Sequence, residues 1–408
     1  MLPKFRFPNR RARACLRRVA FVASVGLCAC GQRSELLGTI TTAAEGGAGQ
    51  AGSGGAPAGG GAARYIIGAD ITSVQAAEDR GASFSDGTEK DIFQLLRDHG
   101  FNYVRLRTFV DPRAADGYDQ QNGYADLAHT ITFAQRVKAA GMGFLLDLHY
   151  SDNWADPGKQ CVPIAWQHYT TIAELASVVH DYTSDVVGQL SAAGARPDLV
   201  QLGNGITPGI LLHVCDSGGA PTGSNAVTGS AANWSRFASL LEAGSSAVRS
   251  VDQAIQIVLH IDQCGDKPAD PPGAALAASI GFVQNALSHG VQFDILGESC
   301  YQKYQGDPNN AASTKVGWVD TLSGLGAEFP GLPLLAVEYG SMEREINDAV
   351  FGLANRQGLG GFDWEPTEQG DWNNGHELFV NAGNSNAYVA TIDLSLFDAM
   401  TVAYASRL

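Results

Sequence analysis

Eight short apolar segments recur along the chain from Arg64 onward, and longer amphipathic segments separate them. Most of the short segments are nearly continuous apolar runs, which are typical of parallel strands covered on both faces. The predicted strands are Tyr65–Asp70, Asn102–Thr108, Gly143–His149, Leu199–Asn204, Ile255–Ile261, Phe293–Ser299, Leu332–Tyr339 and Gly361–Pro366.

Helical periodicity fills the segments between these strands. In the first helical segment, Thr88 is the predicted N-cap, Asp91 is the acid of a capping box, and Gly100 ends the helix. Strand and helix alternate eight times, which predicts a single (β/α)8 TIM barrel over residues 64–408. Long loops are expected at residues 214–230, 263–274 and 366–390.

The N-terminal segment has the pattern of an export signal. Residues 1–18 are basic, and the apolar run Val19–Ala29 is too short to span a bilayer, so residues 1–30 are predicted to be a signal peptide. The sequence around Cys30 resembles a bacterial lipobox, which implies a lipidated, membrane-tethered protein; an ordinary cleaved signal is the alternative. Residues 31–63 are rich in Gly and Ala and predict a flexible tether.

The charge balance excludes several classes of partner. The chain has 27 Lys+Arg and 42 Asp+Glu, a net charge of −15, and its first 30 residues contain basic but no acidic side chains. The remainder is therefore strongly acidic and poorly suited to bind nucleic acid or anionic lipid. We expect a monomer that contacts a membrane only through the N-terminal lipid, at the cell surface or in the periplasm.

Four cysteines lie beyond the signal and Cys30. An even number in an exported protein predicts two disulfides, for which three pairings are possible. We favour Cys161–Cys215 and Cys264–Cys300, because each pair would lie on loops that follow neighbouring strands. Buried free thiols are the alternative.

Polar side chains concentrate at the C-terminal ends of the predicted strands. The active site of a TIM barrel lies at these ends, and charges there cost desolvation energy unless they are paired or used. The candidate residues are Asp70, Arg105, Arg107, Asp147, His149, Asn204, His260, Asp262, Glu298, Tyr301, Glu338, Trp364 and Glu365.

The segments around these residues are similar to a known enzyme family. They read GADITSV, VRLRTFVDP, LDLHYSDNWADPGKQ, VQLGNGITPGILL, VLHID, GESCYQ, AVEYG and FDWEP. Together, from Gly68 to Pro366, they resemble glycoside hydrolase family 53, the endo-β-1,4-galactanases of clan A. The resemblance implies retaining hydrolysis of the galactan side chains of pectin without a cofactor, and it makes Glu338 the nucleophile.

One position departs from the family pattern. The family motif at strand four reads Gly-Asn-Glu-Ile, whereas residues 203–206 here read Gly-Asn-Gly-Ile, so Gly205 occupies the acid/base position. A retaining glycosidase needs two carboxyl groups about 5–5.5 Å apart. We therefore expect strongly impaired turnover and an open space beside residue 205. The alternative is a non-catalytic, galactan-binding pseudoenzyme.

Two other carboxyl groups, Glu298 and Glu365, also end predicted strands and are candidate replacements for the missing acid. Glu298 and Ser299 alternate along strand six, so one of them points towards the helices. Glu365 belongs to the family pattern of strand eight and is better explained as part of a substrate or charge network.

The resemblance also implies roles for the other strand-end residues. Arg105 would pair with Glu338 or its neighbours and keep the nucleophile ionised, or form a purely structural salt bridge. Asn204 would bind the sugar 2-hydroxyl, and Trp154 and Trp364 would stack on sugar faces unless they only pack in the core. The remaining predicted substrate-binding residues are Asp70, Asp147, His149, His260, Asp262, Tyr301 and Glu365.

We expect no metal centre at the mouth of the barrel. The histidines lack a close ligand spacing such as HExxH. The loop 371–386 is rich in oxygen ligands, and some members of the resembled family bind calcium near it. It lacks the Asp-x-Asp-x-Asp-Gly pattern, so calcium stays an open alternative.

Overall fold

The computed structural model describes residues 64–408 except positions 369, 371, 372, 374 and 385. The predicted signal peptide, Cys30 and the tether lie outside the described residues. The strands are β1 (Ile66–Asp70), β2 (Ser83–Ser85), β3 (Glu89–Lys90), β4 (Tyr103–Thr108), β5 (Gly143–Leu148), β6 (Leu199–Leu202), β7 (Gly209–Ile210), β8 (His213–Cys215), β9 (Pro221–Ser224), β10 (Gly229–Ser230), β11 (Gln256–Ile261), β12 (Ile295–Ser299), β13 (Leu334–Tyr339), β14 (Gly358–Trp364), β15 (Phe379–Asn381) and β16 (Ala387–Ala390).

Eight of these strands close into a parallel barrel, which confirms the predicted fold. Their order around the barrel is β1, β4, β5, β6, β11, β12, β13 and β14, and β14 pairs with β1. All eight correspond to the predicted segments, with ends that differ by a few residues. The largest difference is β14, which begins at Gly358 rather than Gly361.

Helices connect the barrel strands on the outside. They are α1 (Val74–Asp79), α2 (Ile92–Asp98), α3 (Leu127–Ala139), α4 (Ile172–Ala192), α5 (Trp234–Val251), α6 (Ala274–Ser288), α7 (Ala311–Glu328), α8 (Glu343–Phe351) and α9 (Leu394–Ala403). Among the residues that the structure describes, no helix combines the length and apolar character needed to cross a bilayer.

The predicted start of the first helical segment is wrong. Glu89 and Lys90 form β3, which pairs with β2, and α2 begins only at Ile92. Asp91 is therefore not the acid of a capping box opened by Thr88. It is itself the N-cap, and its side chain accepts a hydrogen bond from the backbone N–H of Phe93 (2.9 Å).

Two of the predicted loops carry short strands. Residues 214–230 contain β9, which pairs with β8, and β10, which pairs with β7. Residues 366–390 contain β15 and β16, and β16 joins β2 in a four-stranded sheet with β3. This sheet links the segment after β14 to the segment after β1.

A compact cluster of apolar side chains fills the inside of the barrel towards the N-terminal ends of the strands. A cavity can therefore open at the C-terminal ends of the strands. The buried members of this cluster are Ile66, Leu145, Leu199, Val258, Ile295, Leu335, Val337, Leu359 and Phe362.

The predicted disulfide pairing is confirmed. Cys161 is bonded to Cys215 and Cys264 to Cys300, with Cα–Cα distances of 5.8 Å and 5.2 Å. The first bond joins the loop after β5 to β8, and the second joins the loops that follow β11 and β12. Both bonds therefore tie together loops at the mouth of the barrel.

Glu298 points away from the barrel interior. Its carboxyl accepts hydrogen bonds from Ser279 Oγ of α6 (2.7 Å) and from the backbone N–H of Gln263 (2.8 Å). The adjacent Ser299 points inward, as the alternation predicted. Burial raises the pKa of Glu298 to about 8, because no cation compensates for its desolvation.

We predict that removing the first disulfide destabilises the protein. Replacing Cys161 and Cys215 together by Ser should lower the free energy of unfolding by about 2–5 kcal/mol, because the unfolded chain regains the freedom of a 54-residue loop. Denaturant titration of the double variant checks this value. An unchanged midpoint would show that the bond adds nothing to stability.

We predict that Glu298 makes stability fall as pH rises. Its pKa is raised above the unfolded value of 4.5, so the folded state holds an extra proton from about pH 4.5 to pH 8. The free energy of unfolding should therefore decrease across that window, by up to about 1.4 kcal/mol per pH unit from this group. Urea titrations at several pH values should show a shallower decrease for Glu298→Gln. The exposed Glu328→Gln is the control and should leave the slope unchanged.

Candidate active site

Arg105 on β4 is the central cation of the barrel mouth. Its guanidinium is buried and donates hydrogen bonds to Asp70 Oδ2 (2.9 Å) and Asp147 Oδ2 (2.8 Å), and its Nη2 lies 2.8 Å from Glu338 Oε1. Burial lowers the pKa of Arg105, but the three carboxylates outweigh it and raise the pKa above the ordinary value. Arg105 therefore stays charged, and the predicted pairing with Glu338 is present.

Glu338 on β13 is a carboxyl group that lines the cavity at the mouth of the barrel. Its Oε2 accepts hydrogen bonds from Tyr301 Oη (3.2 Å) and Ser299 Oγ (3.3 Å). Oε1 is buried beside Arg105 without a well-aligned hydrogen bond. Burial and the neighbouring Glu338 raise the pKa of Tyr301, which therefore remains a hydrogen-bond donor.

His260 on β11 connects the end of β6 to Glu338. Its Nδ1 accepts the backbone N–H of Gly205 (3.2 Å), and its Nε2 lies 2.7 Å from Ser299 Oγ, which in turn donates to Glu338. Burial and the positive charge of Arg105 lower the pKa of His260 to about 3. The ring is therefore neutral at physiological pH and acts as a hydrogen-bonding link.

Asn204 is largely committed to bonds within the protein. Its Oδ1 accepts from Arg105 Nη2 (2.9 Å), and its Nδ2 donates to the carbonyl of Ala155 (2.8 Å). An amide nitrogen carries two N–H groups, so one donor remains for a ligand. Asn204 lies at the edge of the cavity, where the predicted contact with a sugar hydroxyl would have to use that donor.

The expectation of an open space beside Gly205 is wrong. Gly205 has a φ of +56°, and a Cβ built on it would lie 2.7 Å from Pro157 Cδ and 3.1 Å from Pro157 Cγ. The direction in which a side chain would leave residue 205 is therefore occupied by the loop after β5. Only the remaining side of Gly205 faces the cavity.

The mouth of the barrel holds a cavity of about 520 Å³. Eight residues of the predicted set line it, namely Trp154, Asn204, Gly205, His260, Asp262, Tyr301, Glu338 and Trp364. Sequence reasoning gave no role to the seven other lining residues, which are Ala155, Asp156, Pro157, Lys267, Ser299, Tyr304 and Gln305. Pro157 is part of the HYSDNWADP motif, but no sequence signal indicates which residue it faces.

The other predicted residues lie behind the cavity wall. They are Asp70, Arg105, Asp147, His149 and Glu365, all of them buried and none of them part of the lining. His149 Nε2 lies 3.0 Å from Asp147 Oδ2, and its Nδ1 accepts the backbone N–H of Ala155 (2.9 Å). These residues hold the lining in place, so any direct contact with a substrate stays a prediction.

The two tryptophans form one side of the cavity. Their rings meet edge to face with centroids 5.8 Å apart. The Arg107 guanidinium lies 4.0 Å above the ring of Trp154 and forms an ion pair with Glu365. Trp154 is thus fixed from behind by a charged network and presents an aromatic surface to the cavity.

Neither alternative acid reaches Glu338 across the cavity. Glu298 is on the outer face of β12, bonded to α6. Glu365 is held by Arg107 and Ser73. Burial raises the pKa of Glu365 to about 7 even though Arg107 opposes the shift. Neither Glu298 nor Glu365 lines the cavity, whose carboxyl groups besides Glu338 are those of Asp156 and Asp262.

No group of three His, Cys, Asp or Glu residues is arranged to hold a metal ion among the residues that the structure describes. Several positions of the predicted calcium loop are not among those residues.

Asp262, on the cavity wall, is bonded to Thr207 Oγ1, and burial raises its pKa.

Comparison with known proteins then identifies the family. The profile of glycosyl hydrolase family 53 matches residues 66–319. An uncharacterized protein of Niallia circulans is 33% identical over 342 residues, which are 76% of this chain and 87% of that protein. An arabinogalactan endo-β-1,4-galactanase of Cellvibrio japonicus is 35% identical over 246 residues, 59% of this chain and 58% of that protein.

A solved structure agrees with these matches. The family 53 catalytic domain of Ignisphaera aggregans superposes with a TM-score of 0.66 at 26% identity, and the match covers 84% of this chain and 98% of that domain. The family profile spans more than half of the chain, and its residues include β1, β4, β5, β6, β11 and β12 of the barrel. The chain therefore belongs to glycosyl hydrolase family 53.

Proposed function

We propose that the chain binds β-1,4-galactan at the barrel mouth and keeps the nucleophile of a retaining glycosidase without its acid/base. The proposal depends on one observation, which is that the two positions of the retaining pair differ: one has a carboxyl group and the other has none. Glu338 has the charge partner and the two hydroxyl donors that a carboxylate nucleophile needs. Gly205, at the position of the second carboxyl group, has no side chain. The galactanase among the relatives supports galactan as the ligand.

The absence of an acid/base affects each of the two steps of the reaction. In the first step Glu338 would attack the anomeric carbon while the bond to the leaving oxygen breaks. A sugar alkoxide needs a proton at that moment, and Gly205 cannot supply one. In the second step water must lose a proton to attack the glycosyl-enzyme, and Gly205 cannot accept one. Each missing proton transfer costs roughly 10²–10⁴-fold in rate.

A non-catalytic galactan-binding protein is the second candidate. The contact between Pro157 and the Cβ position of residue 205 favours it, because a side chain at residue 205 would have to displace that loop. The two candidates agree on binding and differ only in whether Glu338 still forms a covalent intermediate.

We propose that the protein is exported, whichever of the two functions it has. Two disulfides at the barrel mouth suit an oxidising compartment outside the cytoplasm. We propose that Cys30 is the lipidated N-terminus of the mature chain. Mass spectrometry of protein from the native host should find acylated Cys30, and an unmodified N-terminus at another residue would remove the anchor.

We predict that a substrate with an activated leaving group separates the two steps. With 2,4-dinitrophenyl β-galactoside, the phenolate leaves without a proton, so it should be released in a burst of about one equivalent per protein. Turnover should then stall on the glycosyl-enzyme. Azide needs no deprotonation and, entering from the cavity, should accelerate turnover and give a β-galactosyl azide. Stopped-flow absorbance measures the burst and the acceleration by azide, and peptide mass spectrometry detects the glycosyl adduct at Glu338.

Glu338→Gln is the matched control for this experiment. It should abolish the burst and the adduct while titration calorimetry still detects galactan binding. An intact burst in this variant would place the nucleophile elsewhere. Binding without any burst in the unmodified chain would leave the non-catalytic candidate. Rapid galactan hydrolysis by the unmodified chain would contradict both.

A further inference from the structure

Two hydroxyl groups from the end of β12 donate to the same oxygen of Glu338. Ser299 Oγ lies 3.3 Å and Tyr301 Oη 3.2 Å from Glu338 Oε2. Ser299 is the last residue of β12, and the pairing of β12 with β13 places it beside Glu338. Tyr301 lies beyond the strand, where this pairing no longer fixes the backbone. Other contacts must therefore hold Tyr301 in place.

Residues 300–305 form a tight turn, which we call the Tyr301 turn. Its first residue, Cys300, donates its N–H to the carbonyl of Glu338 (2.8 Å). Its last residue, Gln305, donates its backbone N–H to the carbonyl of Tyr301 (2.8 Å) and accepts the N–H of Tyr301 at Oε1 (3.1 Å). The carbonyl of Gln305 accepts from Trp318 Nε1 of α7 (2.6 Å). The position of Tyr301 therefore depends on how both ends of this turn are held.

The loop after β11 is attached to the end of β12 by two successive residues. Gln263 donates its backbone N–H to Glu298 Oε2 (2.8 Å), and Cys264 forms the disulfide with Cys300. Both cysteines are fully buried, so the bond belongs to the packed interior between the two loops. Cys300 lies directly between the two hydroxyl donors, and the disulfide is thus attached at the residue that separates them.

The next residue, Gly265, packs against the far end of the Tyr301 turn. A Cβ at this position would lie 2.8 Å from the carbonyl oxygen of Gln305 and 2.9 Å from Trp318 Cδ1. Only a residue without a side chain allows so close an approach. The loop after β11 thus holds the turn at both ends, by a covalent bond at Cys300 and by packing at Gln305.

We propose that the loop after β11, through its disulfide, positions Tyr301 against the nucleophile. Cys264 and Cys300 are then positioning residues that act on Glu338 through the Tyr301 hydroxyl. A displacement of about 1 Å would break a hydrogen bond that is already 3.2 Å long, and misplacements of that size can cost about 10²-fold in rate. The kinetic consequence rests on the proposed function, whereas the position of Tyr301 does not.

Fluorine NMR of protein labelled with fluorotyrosine tests the position of Tyr301 without any reaction. The Tyr301 resonance is assigned by its loss in Tyr301→Phe. The disulfide variant, Cys264→Val with Cys300→Ala, keeps apolar side chains in the buried site and should shift or broaden this resonance. The control variant, Cys161→Val with Cys215→Ala, opens the other disulfide at the barrel mouth and should leave the resonance unchanged. An unchanged resonance in the folded disulfide variant would overturn the proposal.

A second substitution tests the same loop without opening the disulfide. Gly265→Ala presses a methyl group against Gln305 and should shift the Tyr301 resonance. Gly281→Ala on α6 is its matched control, because no atom lies within 4 Å of that Cβ position, and it should have no effect. If the disulfide variant does not fold, Gly265→Ala decides, and an unchanged resonance would overturn the proposal.

The burst with the dinitrophenyl galactoside measures the consequence for catalysis. In the disulfide variant its rate constant should fall about tenfold or more, as is typical for the loss of a hydrogen bond to a charged group, while the Kd for galactan changes less. Tyr301→Phe should slow the burst in the unmodified chain but add little in the disulfide variant, because the same hydrogen bond is already lost there. Full additivity of the two changes, or an equal slowing by the control variant, would contradict the proposal.

The positioning of Tyr301 and the proposed function can fail separately. A missing burst in the unmodified chain would refute Glu338 as the nucleophile, and the Tyr301 resonance would then decide the positioning alone. A normal burst together with an unchanged Tyr301 resonance in the disulfide variant would support the nucleophile and overturn the positioning.

Discussion

The mouth of this barrel depends on the buried charge of Arg105. A guanidinium without solvent must be paired, and the carboxylates that pair with it come from the ends of β1, β5 and β13. Removing one partner from such a network leaves an uncompensated buried charge, which typically costs several kcal/mol. The positions of Asp70, Asp147 and Glu338 are therefore fixed by electrostatics, and none of these bonds uses a side chain at residue 205.

This independence explains how the site keeps its shape without a second carboxyl group. Arg105 also bonds Asn204 Oδ1, and the neutral His260 joins the backbone N–H of Gly205 to Ser299, which donates to Glu338. Residue 205 takes part only through its backbone N–H and carbonyl. A glycine can supply both groups, so the network is complete with the sequence as it stands.

The sequence was informative wherever a regular pattern determines position. The twofold alternation of a strand separated Ser299 from Glu298, and the neighbouring strand ends placed the cysteine pairs. It failed at Thr88, where the pairing of β3 with β2 outweighed a local capping signal. It could not show that Pro157 faces Gly205, because that contact depends on a turn held by Gln160 and on a backbone conformation at residue 205. Neither the turn nor that backbone conformation produces a periodic pattern in the sequence.

Under the proposed function, binding and turnover depend on different parts of this site. The aromatic wall is fixed from behind by the contact of Arg107 with Trp154, and Glu338 is fixed by Arg105. Neither arrangement depends on a side chain at residue 205, so a galactan chain bound there as we propose would meet intact cavity walls. Proton transfer, by contrast, needs an acidic group at one point, and Gly205 supplies none there. A site with this division of labour loses turnover before it loses affinity.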